Sequence, residues 1–288
     1  MHPVLKKWLN WAGGGAGLAG VVFILVRLHQ YSGQLDFGRF GVSSWLIVGT
    51  LAFIYGSANY LLSIAWWYIL GFLRVEVSRN WAVKIYGISQ LAKYVPGNIF
   101  QFAGRQALGL AADVPGWVLA KSVFWELALI SVAGAIFACL TVPGVLPGLS
   151  VNIAGFVFLA IVFLTGLFIR RFWGASAVKA FVSHVLFLTV SGLVFVGTLV
   201  VVADKGHITV QLAILYGGAY IVAWLAGLLT PGAPAGVGVR EIVLLFLLGT
   251  VVGRADLLLA IVLNRVITVS GDGGFFVWAS MKARKKAA

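Results

Sequence analysis

Charged residues in apolar surroundings are the groups in this sequence whose type and spacing could do chemistry. Glu126 lies near the centre of one apolar run and Arg265 near the centre of another. A charge at mid-bilayer costs about 2.5–3.5 kcal/mol on insertion scales, so such residues face a cavity or a partner. An ion pair between Glu126 and Arg265 would lower both costs. A polar site would use both, and the residues alone leave the two explanations open. Arg265, Thr268 and Asp272 are three and four residues apart, which places them along one helix face with about 20° of drift over the seven positions. That face either lines a watery path or bonds to neighbouring helices. Tyr55, Asn59 and Ser63 repeat at four-residue spacing, a pattern that suits hydrogen bonding between helices.

Two proline-glycine breaks carry a second set of charges. Pro96-Gly97 is followed by Gly104-Arg105, and Pro231-Gly232 by Gly238-Val239-Arg240, so proline and arginine are nine positions apart in both. A cation at a helix N-terminus opposes the macrodipole, so Arg240 calls for an anionic partner, either a protein carboxylate or a ligand. Glu241 suits the first turn of its helix, where a carboxylate offsets the dipole by about 0.3–1 kcal/mol. Backbone N–H groups at Gly97, Gly236 and Gly238 would add donors for a phosphate, with Arg105 and Arg240 as its charged contacts. Glu126, Glu241, Arg265 and Asp272 would then be the buried charges whose pairing changes as a site opens. Lys93 is expected to snorkel to lipid headgroups.

Enzyme signatures are missing. The four histidines, His2, His29, His184 and His207, have no metal-ligand spacing with one another or with the single Cys139, and no G-x-S-x-G, Walker A or H-E-x-x-H stretch occurs. No catalytic residue, metal or cofactor is assigned. An intramembrane acid/base enzyme using Glu126 or Glu241 stays as a lesser reading.

The elements that must position these residues are membrane helices. Hydrophobic residues make up 61% of 288 positions and charged ones 10%, with a mean hydropathy of +1.02, so the chain must be solvated largely by lipid. Apolar runs fall at about 11–28, 43–73, 115–142, 149–169, 181–203, 209–229 and 256–280, with a shorter one at 238–252. The run at 43–73 exceeds one bilayer thickness and predicts a tilted helix or one with an interfacial extension. Residues 81–109, interrupted by Lys84, Lys93 and Arg105, read as two half-helices meeting at Pro96-Gly97 in a re-entrant hairpin. Gly13 and Gly17 form a G-x-x-x-G that suits helix packing in a retained first helix.

The expected fold is an all-α polytopic membrane protein, a single domain over 1–288. It would have about eight transmembrane helices and broken or re-entrant helices at 81–109 and 230–252. The matched breaks suggest an internal repeat with halves at about 43–142 and 181–280, the mark of inverted-repeat transporter folds whose sites lie near the midplane. The net charge of +13 collects at the ends of apolar runs, at Lys6, Lys7, Arg170, Arg171, Lys179 and Lys282 to Lys286. That distribution is the positive-inside pattern; it excludes nucleic acid as the expected partner and predicts a multi-pass cell-membrane protein with both termini cytoplasmic.

The stretch Tyr94-Val95-Pro96-Gly97 through Arg105, the central Glu126, and Pro234-Ala235-Gly236-Val237-Gly238-Val239-Arg240-Glu241 resemble the signature elements of the flippase-like membrane domain of lysylphosphatidylglycerol synthases. The resemblance covers essentially the whole chain. It implies lipid translocation; the soluble aminoacyltransferase domain of the two-domain members is absent from this sequence, which argues against lysyl transfer by this chain alone. Ala235 stands where the family pattern has a glycine. The expected function is thus a non-enzymatic translocase or binding protein for an anionic or polyprenyl-phosphate-type lipid. The alternative is a non-transporting accessory protein for a lipid- or glycan-processing enzyme. Neither reading fixes an oligomeric state.

Overall fold

The computed structural model describes Val4, Trp8 and residues 40–95, 99–146, 148–203, 208–230, 236 and 238–282. The predicted first helix with Gly13 and Gly17, the tip at Pro96-Gly97, and most of the loop from Pro231 to Val237 lie outside the described residues. So does the C-terminal basic group beyond Lys282.

The described chain is helical and contains no strand. In order come α1 (Val42–Phe72), α2 (Arg79–Gln90), a 3₁₀ turn (Leu91–Tyr94), α3 (Phe100–Ala111) and α4 (Gly116–Ile136). After α4 the chain continues through short 3₁₀ and α turns to Val145, and α5 (Val151–Val202), α6 (Val210–Leu229), α7 (Val239–Leu248) and α8 (Arg254–Ser280) follow. Five of the described helices, α1, α4 with its extension, α5, α6 and α8, are long and apolar enough to cross a membrane. In α1 the run of 31 residues is one unbroken helix of about 46 Å, longer than the ~30 Å hydrocarbon core, as its length in the sequence predicts.

One expectation changes. The runs at 149–169 and 181–203 are not separated by a loop. Helix α5 carries straight through Arg170 and Arg171 and is interrupted only at Gly174, whose φ of 84° and ψ of −177° lie in a region essentially reserved for glycine. A straight helix of 52 residues would be about 78 Å long, so this one residue divides the element into two lengths that each suit a bilayer. The run at 238–252 yields only the ten-residue α7, about 15 Å, half of the core and too short to cross as a helix by itself. The segment 81–109 does form two short helices, α2 and α3, on either side of the break, and they pack on each other.

Helix α1 is the hub, packed against α5, α8, α2 and α4. Close approach needs small residues, because dispersion and shape, not water exclusion, hold helices together in lipid. At the α1–α8 crossing Gly56 meets Gly271 so tightly that a Cβ on Gly56 would lie 2.7 Å from the Gly271 carbonyl oxygen. At the α5–α6 crossing Gly192 meets Gly217 in a similar way. The obstacle at Gly56 is backbone and cannot rotate aside. Gly56→Ala should therefore destabilise by about 1–3 kcal/mol, read as an apparent melting temperature several degrees lower in detergent.

Candidate functional site

Each of α1 to α8 contributes to the wall of one cavity of about 60 Å³, several times the ~10–15 Å³ that a single water needs. Arg105, Glu126, Arg240 and Arg265, singled out in the sequence by their placement in apolar runs or after a break, all reach it, together with Lys93 and Thr268. Each cation arrives from a different element: the 3₁₀ turn, α3, α7 and α8.

In the first half, Arg105 Nη1 on α3 donates to Glu126 Oε2 on α4 at 2.5 Å, with both side chains buried. Tyr86 of α2 donates its hydroxyl to the other carboxylate oxygen at 2.9 Å. The Arg105 guanidinium sits over the Tyr86 ring at 4.2 Å and near Trp66 and Phe102 at 5.3 and 5.6 Å. A desolvated guanidinium gains about 2 kcal/mol or more from an aromatic face, which complements the ion pair. Trp66 is held in turn by its ring N–H to the Ser122 hydroxyl at 3.1 Å. Serine at this position thus fixes one wall of the arginine's aromatic box.

In the second half, Arg265 Nη2 on α8 donates to Glu241 Oε1 on α7 at 2.8 Å, with Nε on the same oxygen at 3.2 Å. A further Arg265 N–H reaches the Gly236 carbonyl at 3.3 Å. The backbone here depends on glycine: Gly236 and Gly238 have φ of 71° and 88°. Gly238 is the N-cap of α7 and is exposed. Gly236 and Gly227 also give the Arg240 side chain its seat, since a Cβ on either would fall within 3 Å of it.

A Glu126–Arg265 pair, one of the two explanations the sequence leaves open, does not form. Each charge is taken by the short helix of its own half, Glu126 by α3 and Arg265 by α7, because those helices follow the breaks and pack beside α4 and α8. The two halves share this layout with the signs exchanged: the short helix carries the cation in the first and the carboxylate in the second.

Lys93 also differs from expectation. Instead of snorkelling, its Nζ pairs with Asp272 Oδ2 at 2.8 Å, and the Tyr94 hydroxyl donates to that same oxygen. Asn59 of α1 donates to Asp272 Oδ1 at 3.0 Å, the interhelical bond its spacing suggested, made possible by the glycine crossing beside it. Ser63 in contrast bonds back to the Tyr60 carbonyl of its own helix. On the α8 face, Arg265 and Thr268 line the cavity, while Asp272 is sealed by Lys93, Tyr94 and Asn59. Gly97 lies outside the described residues.

Four cations therefore line the cavity, and the three carboxylates on or beside it, Glu126, Glu241 and Asp272, each pair with one of them, with Glu241 Oε2 left without a hydrogen-bond partner among the described residues. Arg240 is the cation without a pair among the described residues. Its Nε is buried without a hydrogen-bond partner among them, and its guanidinium lies 5.5 Å from the Trp224 ring centre. Placed at the start of α7, it also opposes the helix dipole. The arrangement can accept one anion. Lys93, Tyr86, Tyr94 and Trp224 were not read as site residues, and the one signal available for Lys93 was the lack of an assigned cation for Asp272.

No protein-family model and no curated protein sequence matches the chain.

Removing one partner of a buried pair leaves an uncompensated charge. Arg105→Met is expected to cost about 3–5 kcal/mol of stability, and Arg105→Met with Glu126→Leu to recover most of it, in unfolding measured in detergent.

Proposed function

We propose that this chain is a lipid-handling membrane protein, a non-enzymatic translocase or binding protein for a lipid with an anionic or polyprenyl-phosphate-type headgroup. The observation that carries this reading is Arg240, a half-buried cation on the cavity wall whose Nε is buried without a hydrogen-bond partner, left over after each carboxylate among the described residues there has paired with another cation. An unpaired charge in such surroundings is costly unless a ligand neutralises it. Phosphate chemistry fits Arg240 at a glycine-rich helix start, and Arg105 is the second candidate contact. The likeness to the flippase-like domain of lysylphosphatidylglycerol synthases points to the same class.

The two short-helix/long-helix units, each bridged by an ion pair, support the reading of an inverted repeat with α2–α3 and α7 as re-entrant or broken elements. A cavity of about 60 Å³ holds water and not a headgroup, so a headgroup needs more room than this arrangement gives. Headgroup entry from either side requires α3 or α7 to move away from α4 or α8, and Arg105–Glu126 and Glu241–Arg265 are the bonds such motion would exchange. The positive-inside distribution supports a cell-membrane location with both termini in the cytoplasm.

A second reading is a non-transporting accessory of a lipid- or glycan-processing enzyme, favoured by the fact that three of the four cavity cations already have carboxylates. Reconstituted liposomes separate the two. Purified protein should accelerate transbilayer movement of NBD-labelled phosphatidylglycerol, and Arg240→Ala should slow it by about tenfold or more, the worth of a lost charge-assisted hydrogen bond. No acceleration by the wild type, with an enzyme recovered by crosslinking in cells, would favour the accessory reading. An unchanged rate for Arg240→Ala would remove that residue from the site.

A further inference from the structure

A second recess lies apart from the central cavity, on the outer face between α1, α2 and α8, with a volume of about 620 Å³. Its floor is made of small residues, Ala52, Gly56 and Ser57 from α1 and Gly271 and Gly274 from α8. Phe53, Tyr60, Phe275 and Trp278 form the sides, and Tyr60 and Phe275 each pack a ring against Trp278. The mouth faces outward: Phe53 is 76% and Trp278 41% exposed. In a protein surrounded by lipid, such a recess is apolar space on the lipid-facing surface.

One end is different in kind. Arg79, Asn80 and Lys282 line it, where α2 begins and α8 has just ended. Arg79 and Asn80 are exposed, and neither Arg79 nor Lys282 has a carboxylate partner among the described residues. Lys282 Nζ lies 4.2 Å from the Trp278 ring centre, which leads the basic end into the aromatic wall. Lys84 Nζ, beside them, donates to the carbonyls of Ser280 and Lys282 at the end of α8. From Ser270 to Lys282 the recess follows α8 for about 18 Å, somewhat more than half of the ~30 Å hydrocarbon core. A lipid chain from one leaflet matches that length, and a negative headgroup matches the cations at the helix ends.

We infer that this recess is a binding site for one anionic glycerophospholipid, its chain laid over the Gly56–Gly271–Gly274 floor and its phosphate held by Arg79 and Lys282. The site is separate from the cavity around Arg240 and does not depend on the transport reading. Small residues here serve two ends at once: Gly56 and Gly271 let the helices touch, while Gly274 keeps the floor low, with nothing within 4 Å of where its Cβ would be.

Spin-labelled phosphatidylglycerol and phosphatidylcholine, each added to the full-length protein in phosphatidylcholine bilayers, test this through the protein-immobilised fraction of each label. The wild type should hold the glycerol lipid preferentially. Arg79→Gln with Lys282→Gln should lower that preference by about 30-fold, from roughly 1 kcal/mol per cation near an anionic lipid. Gly274→Leu projects a side chain into the recess from a position whose Cβ would have nothing within 4 Å, so it should lower the binding with an unchanged melting temperature. Equal immobilisation of both lipids by the wild type, or an unchanged preference in Gly274→Leu, would overturn the inference. A Gly274→Cys crosslink to the 11–28 run of the same chain or to a second copy would overturn it too, by showing a protein occupant.

Discussion

A charge inside a lipid-embedded bundle must meet an opposite charge, and that constraint organises this molecule more than its hydrophobicity does. Helices surrounded by lipid have no strong preference for one another's apolar faces. Three carboxylates supply it, Glu126 and Asp272 buried and Glu241 half-buried. Glu126 ties α3 to α4, Glu241 ties α7 to α8, and Asp272 ties the turn at Lys93 and Tyr94 to α8 and, through Asn59, to α1. The turn before the first break and the short helix after each break are thereby held by an ion pair to a long helix. Among the described residues the pairs run out at Arg240, and there we place the proposed anion site.

Close helix contact and polar contact support each other. Without side chains at Gly56 and Gly271, α1 and α8 come near enough for the short Asn59 amide to reach Asp272. Gly227 and Gly236 likewise make room for the Arg240 side chain beside Trp224. The aromatic residues around Arg105 act in the same sense, because a guanidinium between Tyr86, Trp66 and Phe102 is fixed in direction as well as stabilised.

Much of this was legible in the sequence, for physical reasons that can be named. Apolar length gives the spanning helices directly, and the rarity of charge in such runs marks Glu126 and Arg265. The nine-residue spacing from proline to arginine brought out Arg105 and Arg240, which converge on one cavity. Pairing was not legible. Glu126 and Arg265 each sit mid-helix, but which charges meet depends on how α3 and α7 fold back against α4 and α8, and linear spacing carries no record of that. Lys93 was misjudged for the same reason: its partner Asp272 is far away in sequence. The missing loop within α5 was hidden because Arg170 and Arg171 look like a loop by composition, whereas a single glycine conformation at Gly174 does the work of a turn.

The central claim is that Arg240 is the uncompensated cation of an anion site. Native mass spectrometry of the protein released from mild detergent tests it most directly, by comparing the lipid co-purified with the wild type, Arg240→Gln and Gly274→Leu. The account predicts that the wild type retains a phosphate-headed lipid, beyond any held in the outer recess, that is lost in Arg240→Gln and kept in Gly274→Leu. The same lipid retained equally by wild type and Arg240→Gln would contradict it.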